Sequence, residues 1–396
     1  KYTPAKQAFI NKKFQKYLDD GVFVPIYDVS DASAALAVAE PNKPGGFRLV
    51  FDYRERNKQI KLQCFPSTQV KDLMRFNKLG TYQASLDLVE AYSQVPLDEK
   101  SQRLFAVSGP SGIFAPTRMM MGDPNSSGKF NAMVRQLWGH VPGLVSYLDD
   151  LTITSDDPET LVDRVWRTLA IAREHSALFK PSKCHFGGTS GQQLGYTIRN
   201  GRYSPLLKHT EGVMKLPFPK SKQEMKHLLG IANFIRDFTP NFAAIAAPLH
   251  DCVKAGFDFS SISPELLDAL DKLKEALANR QELCAINYDL PIVLRTDASE
   301  KAIGFELVNI APDKSDIPIL FGSHKLTEVA RNWPTIEQER FAIFWAIAIC
   351  CRDLLIGHEF LVETDHRNLQ FINYSVNRKV QNWSLQLSDF QFSIVH

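Results

Sequence analysis

Residues 143–155, GLVSYLDDLTITS, place two runs of strand-forming residues on either side of Asp149 and Asp150. Both runs read as β-strands, so the segment is expected to form an otherwise apolar β-hairpin with the two acids at its tip. A plain turn is the bland reading, because Asp is a common turn residue. Asp-Gly or Asn-Gly would suit a two-residue hairpin better, and adjacent carboxylates repel unless a cation neutralises them. A divalent ion such as Mg²⁺ does this, and it is usually held by one or two carboxylates together with substrate phosphates. The hairpin therefore raises the question of where a further acid lies.

The chain is long enough to position such a site. Its 396 residues, 44% apolar and 23% charged, describe ordinary globular material sufficient for two or three domains. A net charge of +2 does not by itself announce a nucleic-acid binder, so any basic surface must be local. Cys64, Cys184, Cys252, Cys284, Cys350 and Cys351 form no CxxC pair and no regular spacing, and the histidines lack metal-ligand spacing. That pattern argues against a zinc site or a disulfide framework and fits a reducing compartment. No apolar run reaches the length of a membrane span. The start, Lys-Tyr-Thr-Pro, has neither a signal-peptide pattern nor an initiator Met, as expected of a processed product.

Periodicity organises the chain. The opening PAKQAFINKKFQKYLDDGVF has helical spacing at Phe9, Phe14 and Leu18, with Gly21 as a stop. Strands follow at ALAVAE and FRLVFDY around the turn Lys43-Pro44-Gly45-Gly46, then at TYQASLDL, which ends near Asp87. A helix is predicted from Pro158 to Phe179, with Leu161, Val165, Leu169 and Ala172 on one stripe. Ser221 and Glu224 form a capping-box signature ahead of MKHLLGIANFIRDF, and Pro240 follows as a stop. SPELLDALDKLKEALANR is a further helix before strands return at PIVLRTDAS. Boundaries accordingly fall near residues 204 and 287.

Asp87 lies at the end of its strand, where a side chain can project beyond the sheet; a helix N-cap is the plain alternative. On strands neighbouring the YLDD hairpin, it completes a set able to hold two Mg²⁺ ions against a triphosphate. One ion would lower the pKa of a primer 3′-hydroxyl and the other would stabilise leaving pyrophosphate.

FRLVFDYRERNKQI, ASLDLVEAYSQVPL, GDPNSSGKFNAMV, SYLDDLTITS, KPSKCHF, LGYTIRNGRYSP, LLGIANFIRDFTPNFAAIAAPL, LRTDAS, TIEQERFAIFWAI and TDHRNL occur in that order. The ordered set resembles the reverse transcriptase with RNase H of gypsy-type LTR retrotransposons (Metaviridae), related to retroviral enzymes. The resemblance implies an α+β fold, a right-hand polymerase followed by an RNase H-like α/β domain. Fingers and palm would occupy residues 1–204, the thumb 205–287, and the RNase H-like domain 288–396.

Carried over residue by residue, the resemblance makes Asp87, Asp149 and Asp150 the polymerase carboxylates, with the backbone at Leu88 facing metal or phosphates. Arg48 matches the arginine that grips the triphosphate, a surface ion pair with Asp52 being the alternative. Lys43 is a second phosphate contact in a turn whose alignment can shift by a residue or two. Tyr92 takes the aromatic position beneath the sugar, where a ring excludes a 2′-hydroxyl; core packing is its alternative. Met121, Gly122 and Asn125 line the incoming nucleotide, although MMM at 119–121 also reads as core filler. GDPNSSGKF departs from the family pattern, which has an apolar residue where Asp123 stands and Ala-Pro where Ser126 and Ser127 stand. Altered nucleotide affinity follows, in a direction the sequence does not give. Leu194 and Gly195 fall where relatives hold the primer terminus. The helix from Ser221 to Phe238 matches the thumb element along the duplex. There Lys220, Lys222, Lys226 and Arg236 either contact phosphates or form a solvated face.

The second half repeats the logic. Asp297 ends an apolar strand, Glu339 lies on the helix of TIEQERFAIFWAI, and Asp365 follows the strand EFLVET. This is the ligand order the resemblance gives for an RNase H site with two Mg²⁺. Glu337 competes with Glu339, because residues two apart point to different helix faces. Relatives carry a fourth acid on a helix after the strand that here reads FSIVH, and the sequence stops at His396 before it, so a C-terminally truncated domain with weak or absent RNase H activity is expected. The implied function is RNA- and DNA-templated DNA synthesis with an appended nuclease, cut from a polyprotein. Its partners would be an RNA/DNA hybrid, a DNA duplex, template RNA with a tRNA-like or other primer, and dNTPs, but no membrane. Some relatives work as homodimers, and cytoplasmic virus-like particles are the usual setting of the family. A domesticated, non-catalytic nucleic-acid-binding protein that retains the fold is the alternative from another class.

Overall fold

The opening helix, Pro4–Asp19, begins with Pro in its first turn, where a missing N–H costs no helical bond, and the chain leaves it through Gly21 at φ +66. The computed structural model to which it belongs describes residues 2–40, 45–65, 69–365 and 377–396, with the backbone alone for His209. Two units result, Lys1–Gln69 with Gln83–Gly188 and Val70–Tyr82 with Thr189–His396.

In the first unit, Ile10 and Phe14 of the opening helix pack against Phe23, Val107 and Phe114. These belong to a five-stranded sheet ordered Phe23–Pro25, Gly112–Pro116, Val107–Gly109, Ser33–Ala39, Phe47–Phe51. A second sheet places Asp150–Ser155 between Tyr82–Asp87 and Leu144–Tyr147. Its central strand is buried from Leu151 to Ser155, which accounts for a sequence rich in apolar and β-branched residues. The next helix, Pro158–Glu174, is capped by Asp157, whose carboxylate accepts the Thr160 N–H at 2.7 Å. It ends short of the Phe179 predicted from periodicity, because Ser176 turns the chain at φ +55. Phe179 instead pairs with Leu88 in an isolated antiparallel bridge.

In the second unit, Ser190–Gln193, Tyr196–Arg199 and Arg202–Pro205 form a small antiparallel sheet. The capping box is real but offset. Ser221 Oγ accepts the Glu224 N–H at 3.2 Å, whereas Glu224 Oε2 accepts the N–H of Lys220, one residue before the cap, at 2.9 Å. The capped helix, Lys222–Ile235, buries Met225, Leu228, Leu229, Ala232 and Ile235 against Phe242–Asp251 and Pro264–Ala278. Lys71 and Arg75 of Val70–Phe76 both donate to Asp237 just beyond it, at 2.5 and 3.0 Å.

The same unit ends in a mixed five-stranded sheet ordered Asp316–Lys325, Ala302–Ile310, Ile292–Ala298, Glu359–Glu363, Gln391–Val395. The first three strands are antiparallel and the last two run parallel to Ile292–Ala298. Helix Thr335–Phe344 and its π-helical continuation Trp345–Cys350 cover this sheet, burying Ile343 and Ile347 with Leu294 and Leu307. No described helix is long and apolar enough to cross a membrane.

Candidate active sites

The hairpin register pairs Tyr147 with Asp150, which moves the tip by one residue from the sequence expectation. Leu148 and Asp149 make the turn, and Asp150 is already the first residue of the central strand. Leu148 adopts φ +55, a left-handed conformation that costs a non-glycine residue about 1–2 kcal/mol. The carbonyl of Asp149 accepts the Leu88 N–H at 3.2 Å, which ties the tip to the end of the Asp87 strand. The Leu88 amide thus serves the hairpin. Asp87, Asp149 and Asp150 gather at one end of the sheet, and Asp150 reports their proximity. Its pKa is raised by burial first and then by Asp149 and Asp87, against the opposing pull of Lys183.

Lys183 is the residue sequence reasoning missed. Its ammonium lies 3.1 and 2.9 Å from the two Asp87 carboxylate oxygens, and that hydrogen bond holds the ammonium's own pKa up. It arrives there because 178–185 runs beside the Asp87 strand. Lys180 N–H donates to the Asp87 carbonyl at 2.8 Å, and Ser85 bridges His185. The available signal was KPSKCHF, which marked the resemblance without assigning its lysines.

A cavity of about 760 Å³ in the same unit is lined by Arg48, Tyr92, Met121 and Gly122, with Lys13 and Lys180 on its wall. Asp52 gives its carboxylate to Arg54 at 2.7 and 2.8 Å, so the Arg48–Asp52 pair weighed from sequence is replaced by another. The methionine run divides. Met119 and Met120 are 6% and 7% exposed and belong to the core, whereas Met121 is 66% exposed at the cavity. Gly122 sits at φ +113, where a Cβ would approach the Tyr53 ring to 3.1 Å. Asn125 does not line this cavity; its side chain accepts Gln63 N–H at 2.9 Å and donates to Lys61 O at 3.0 Å, fixing the chain that leads into helix Ser126–Trp138. Lys43 lies outside the described residues.

In the second unit, Leu194 and Gly195 form the two-residue turn between paired Gln193 and Tyr196, at φ +51 and +90. Lys220, Lys222 and Lys226 are exposed, and the last two share a face of the capped helix one turn apart. Arg236 is engaged elsewhere, donating to the Ser323 carbonyl at 2.5 Å and to Asn233 at 3.3 Å.

The acids of the mixed sheet settle the competition on their helix. Glu337 turns outward to Lys379 at 2.6 Å and Asn377 at 2.9 Å. Glu339 is 2% exposed, and its Oε1 accepts the Ala298 N–H, next to Asp297, at 3.2 Å. Burial, then the charges of Asp365 and Asp297, push its pKa up to about 7. These three acids therefore form a second cluster.

Among the described residues, no three acidic, His or Cys side chains stand close enough to enclose a metal ion as they are. The donor chemistry nonetheless suits a hard divalent ion. Glu339 Oε2 is buried without a hydrogen-bond partner, and at Asp87 an ammonium stands where a cation would be favoured.

Comparison with known proteins gives this geometry a class. Residues 40–198 match the family of reverse transcriptase (RNA-dependent DNA polymerase), and residues 287–390 match the RNase H-like domain found in reverse transcriptase. The chain thus carries a reverse transcriptase domain followed by an RNase H-like domain, families that generally use divalent metal ions. Its homologues include the transposon Tf2-3 and Tf2-7 polyproteins of Schizosaccharomyces pombe, which are gypsy-like LTR retrotransposon polyproteins. Each is 26% identical over 99% of this chain, which spans 30% of the relative's length. Among solved structures, a foamy viral protease-reverse transcriptase (dRH) in complex with double-stranded DNA shares the fold at TM-score 0.89 and 21% identity, over 99% of this chain and 70% of that one. The foamy viral protein in complex with an RNA/DNA hybrid follows at TM-score 0.79 and 21% identity, covering 98% and 53%.

Proposed function

We propose that this chain is the polymerase and RNase H portion of a retroelement polyprotein, synthesising DNA on RNA and DNA templates and cutting RNA in RNA/DNA hybrids. The observation that carries the reading is the meeting of Asp87, Asp149 and Asp150 beside the cavity that holds Arg48, Tyr92 and Gly122. Lys180 joins the two, since it lines the cavity while its N–H binds the Asp87 carbonyl. The complexes of the foamy viral proteins with double-stranded DNA and RNA/DNA hybrid support nucleic-acid partners.

In this reading residues 1–204 are fingers and palm, 205–287 the thumb and 288–396 the RNase H-like domain. Two Mg²⁺ ions per site, when bound, supply Lewis acidity to the attacking oxygen and to the leaving group. Arg48 grips the triphosphate of an incoming dNTP with a planar, permanently charged fork, and Lys13 and Lys180 add charge to the same wall. Tyr92 sets its ring beneath the sugar, with Met121 and Gly122 beside the base and Asn125 bracing the wall. The Leu194–Gly195 turn lets backbone approach the end of an RNA or tRNA-like primer. Lys222 and Lys226 meet duplex phosphates, an interaction that salt weakens. Asp297, Glu339 and Asp365 would hold the divalent ions that act on the hybrid's RNA strand, with the unpartnered Glu339 Oε2 as one ligand oxygen. A cytoplasmic particle is the setting this reading adopts.

Primer extension with Mg²⁺ on an RNA template tests it. Wild-type chain should extend, and Asp149→Asn should lose on the order of 10³-fold in rate. A wild-type chain that binds duplex but extends no primer on either template would identify a binding protein instead.

A further inference from the structure

The residues that depart from the family pattern at GDPNSSGKF acquire partners in the structure. Asp123 accepts the Asn125 N–H at 3.2 Å and the Ser126 hydroxyl at 3.0 Å, building by hydrogen bonds the bend that opens helix Ser126–Trp138. Ser127, which stands where the family pattern has proline, reaches Tyr92. The Tyr92 phenol and Ser127 Oγ are 3.0 Å apart, one hydroxyl donating to the other. The Tyr92 ring also rests on Phe130, with centroids 5.1 Å apart. Ser127 and Phe130 are three apart on one helix and so present a hydroxyl and a ring to the same side chain. A proline side chain could supply neither a donor nor an acceptor.

We propose that Ser127 is a specificity-determining, positioning residue: its hydroxyl locks the Tyr92 ring against Phe130 and thereby tightens exclusion of ribonucleotides. The inference rests on the reading of Tyr92 as the residue beneath the sugar. A ring held only by stacking can tilt and admit a 2′-hydroxyl, whereas a ring held at both its face and its phenol has no such latitude. Discrimination thus depends on the bond as well as on the ring's bulk.

The test compares kcat/KM for dNTP and rNTP incorporation on one primer-template. Ser127→Ala and Tyr92→Phe each remove one neutral hydrogen bond and should each raise relative ribonucleotide use by roughly two- to tenfold. The double variant should add little to either single change, because both remove the same bond. Ser127→Thr, which keeps the hydroxyl, should retain discrimination, and Ser127→Pro should lose it. Unchanged discrimination in Ser127→Ala, or additive effects in the double variant, would overturn the proposal. Tyr92→Ala separates this outcome from failure of the underlying reading. If removing the whole ring leaves sugar choice intact, Tyr92 is not beneath the sugar; if it relaxes sugar choice while Ser127→Ala does not, only the role of Ser127 falls.

Discussion

The two acid clusters meet the same like-charge repulsion and relieve it differently. At the YLDD hairpin, the chain brings its own cation, Lys183, to Asp87 at 2.9 Å. At the mixed sheet, Glu339 is buried under its helix beside Asp297 and Asp365 and relieves the repulsion by holding a proton up to about pH 7. Lys183 engages Asp87 in an ion pair, whereas burial beside other acids raises the proton affinity of Glu339 and, at the hairpin, of Asp150. What distinguishes the first cluster is its built-in cation, and what distinguishes the second is a glutamate raised as far as about 7.

The largest effect expected is on chemistry. Asp87→Asn should reduce primer extension on the order of 10³-fold while leaving hybrid cleavage, where it occurs, within a few-fold of wild type. An extension rate within tenfold of wild type would remove Asp87 from the palm cluster.

Glu339 tests the other side. Its folded pKa lies above the ordinary carboxylate value, so between about pH 4.5 and 7 the folded chain binds more protons than the unfolded one, and stability falls as pH rises through that window. The penalty is absent below it and complete above it. In metal-free buffer, Glu339→Gln should stabilise the chain by up to about 3 kcal/mol at pH 8 and flatten the pH dependence, as read by denaturant melts. A variant no more stable than wild type at pH 8 would contradict the comparison.

A smaller change is expected from Lys183→Ala. Removing an ammonium that competes at Asp87 should tighten Mg²⁺ binding by about two- to fivefold, the scale of a half-exposed ion pair. Calorimetric titration measures this, and weaker binding would show that Lys183 organises the acids rather than competing for them. The smallest effect belongs to Glu337→Gln, which breaks the contact with Lys379 and should cost less than about 1 kcal/mol. A loss of hybrid cleavage in that variant, with Glu339→Gln unaffected, would reverse the assignment between the two glutamates.

Features that depend on neighbours in sequence were legible from sequence. The Ser221 cap, the Gly21 stop, the strand at LTITS and the division into a polymerase-like and an RNase H-like part all follow from local propensity, periodicity and motif order. The acids were legible because their chemistry is unusual at strand ends. Local reasoning overshot where a single backbone angle intervened, at Ser176 for the helix end and at Leu148 for the hairpin tip.

The amino-acid order by itself determined which residues could do chemistry and on which elements they lie. Only the tertiary structure decided which of them meet. Lys183 reaches Asp87 across 96 positions, Ser127 reaches Tyr92 across 35, and Glu339 rather than Glu337 turns into the sheet. Such pairings are set by how strands and helices pack, and packing joins residues that no window of sequence contains.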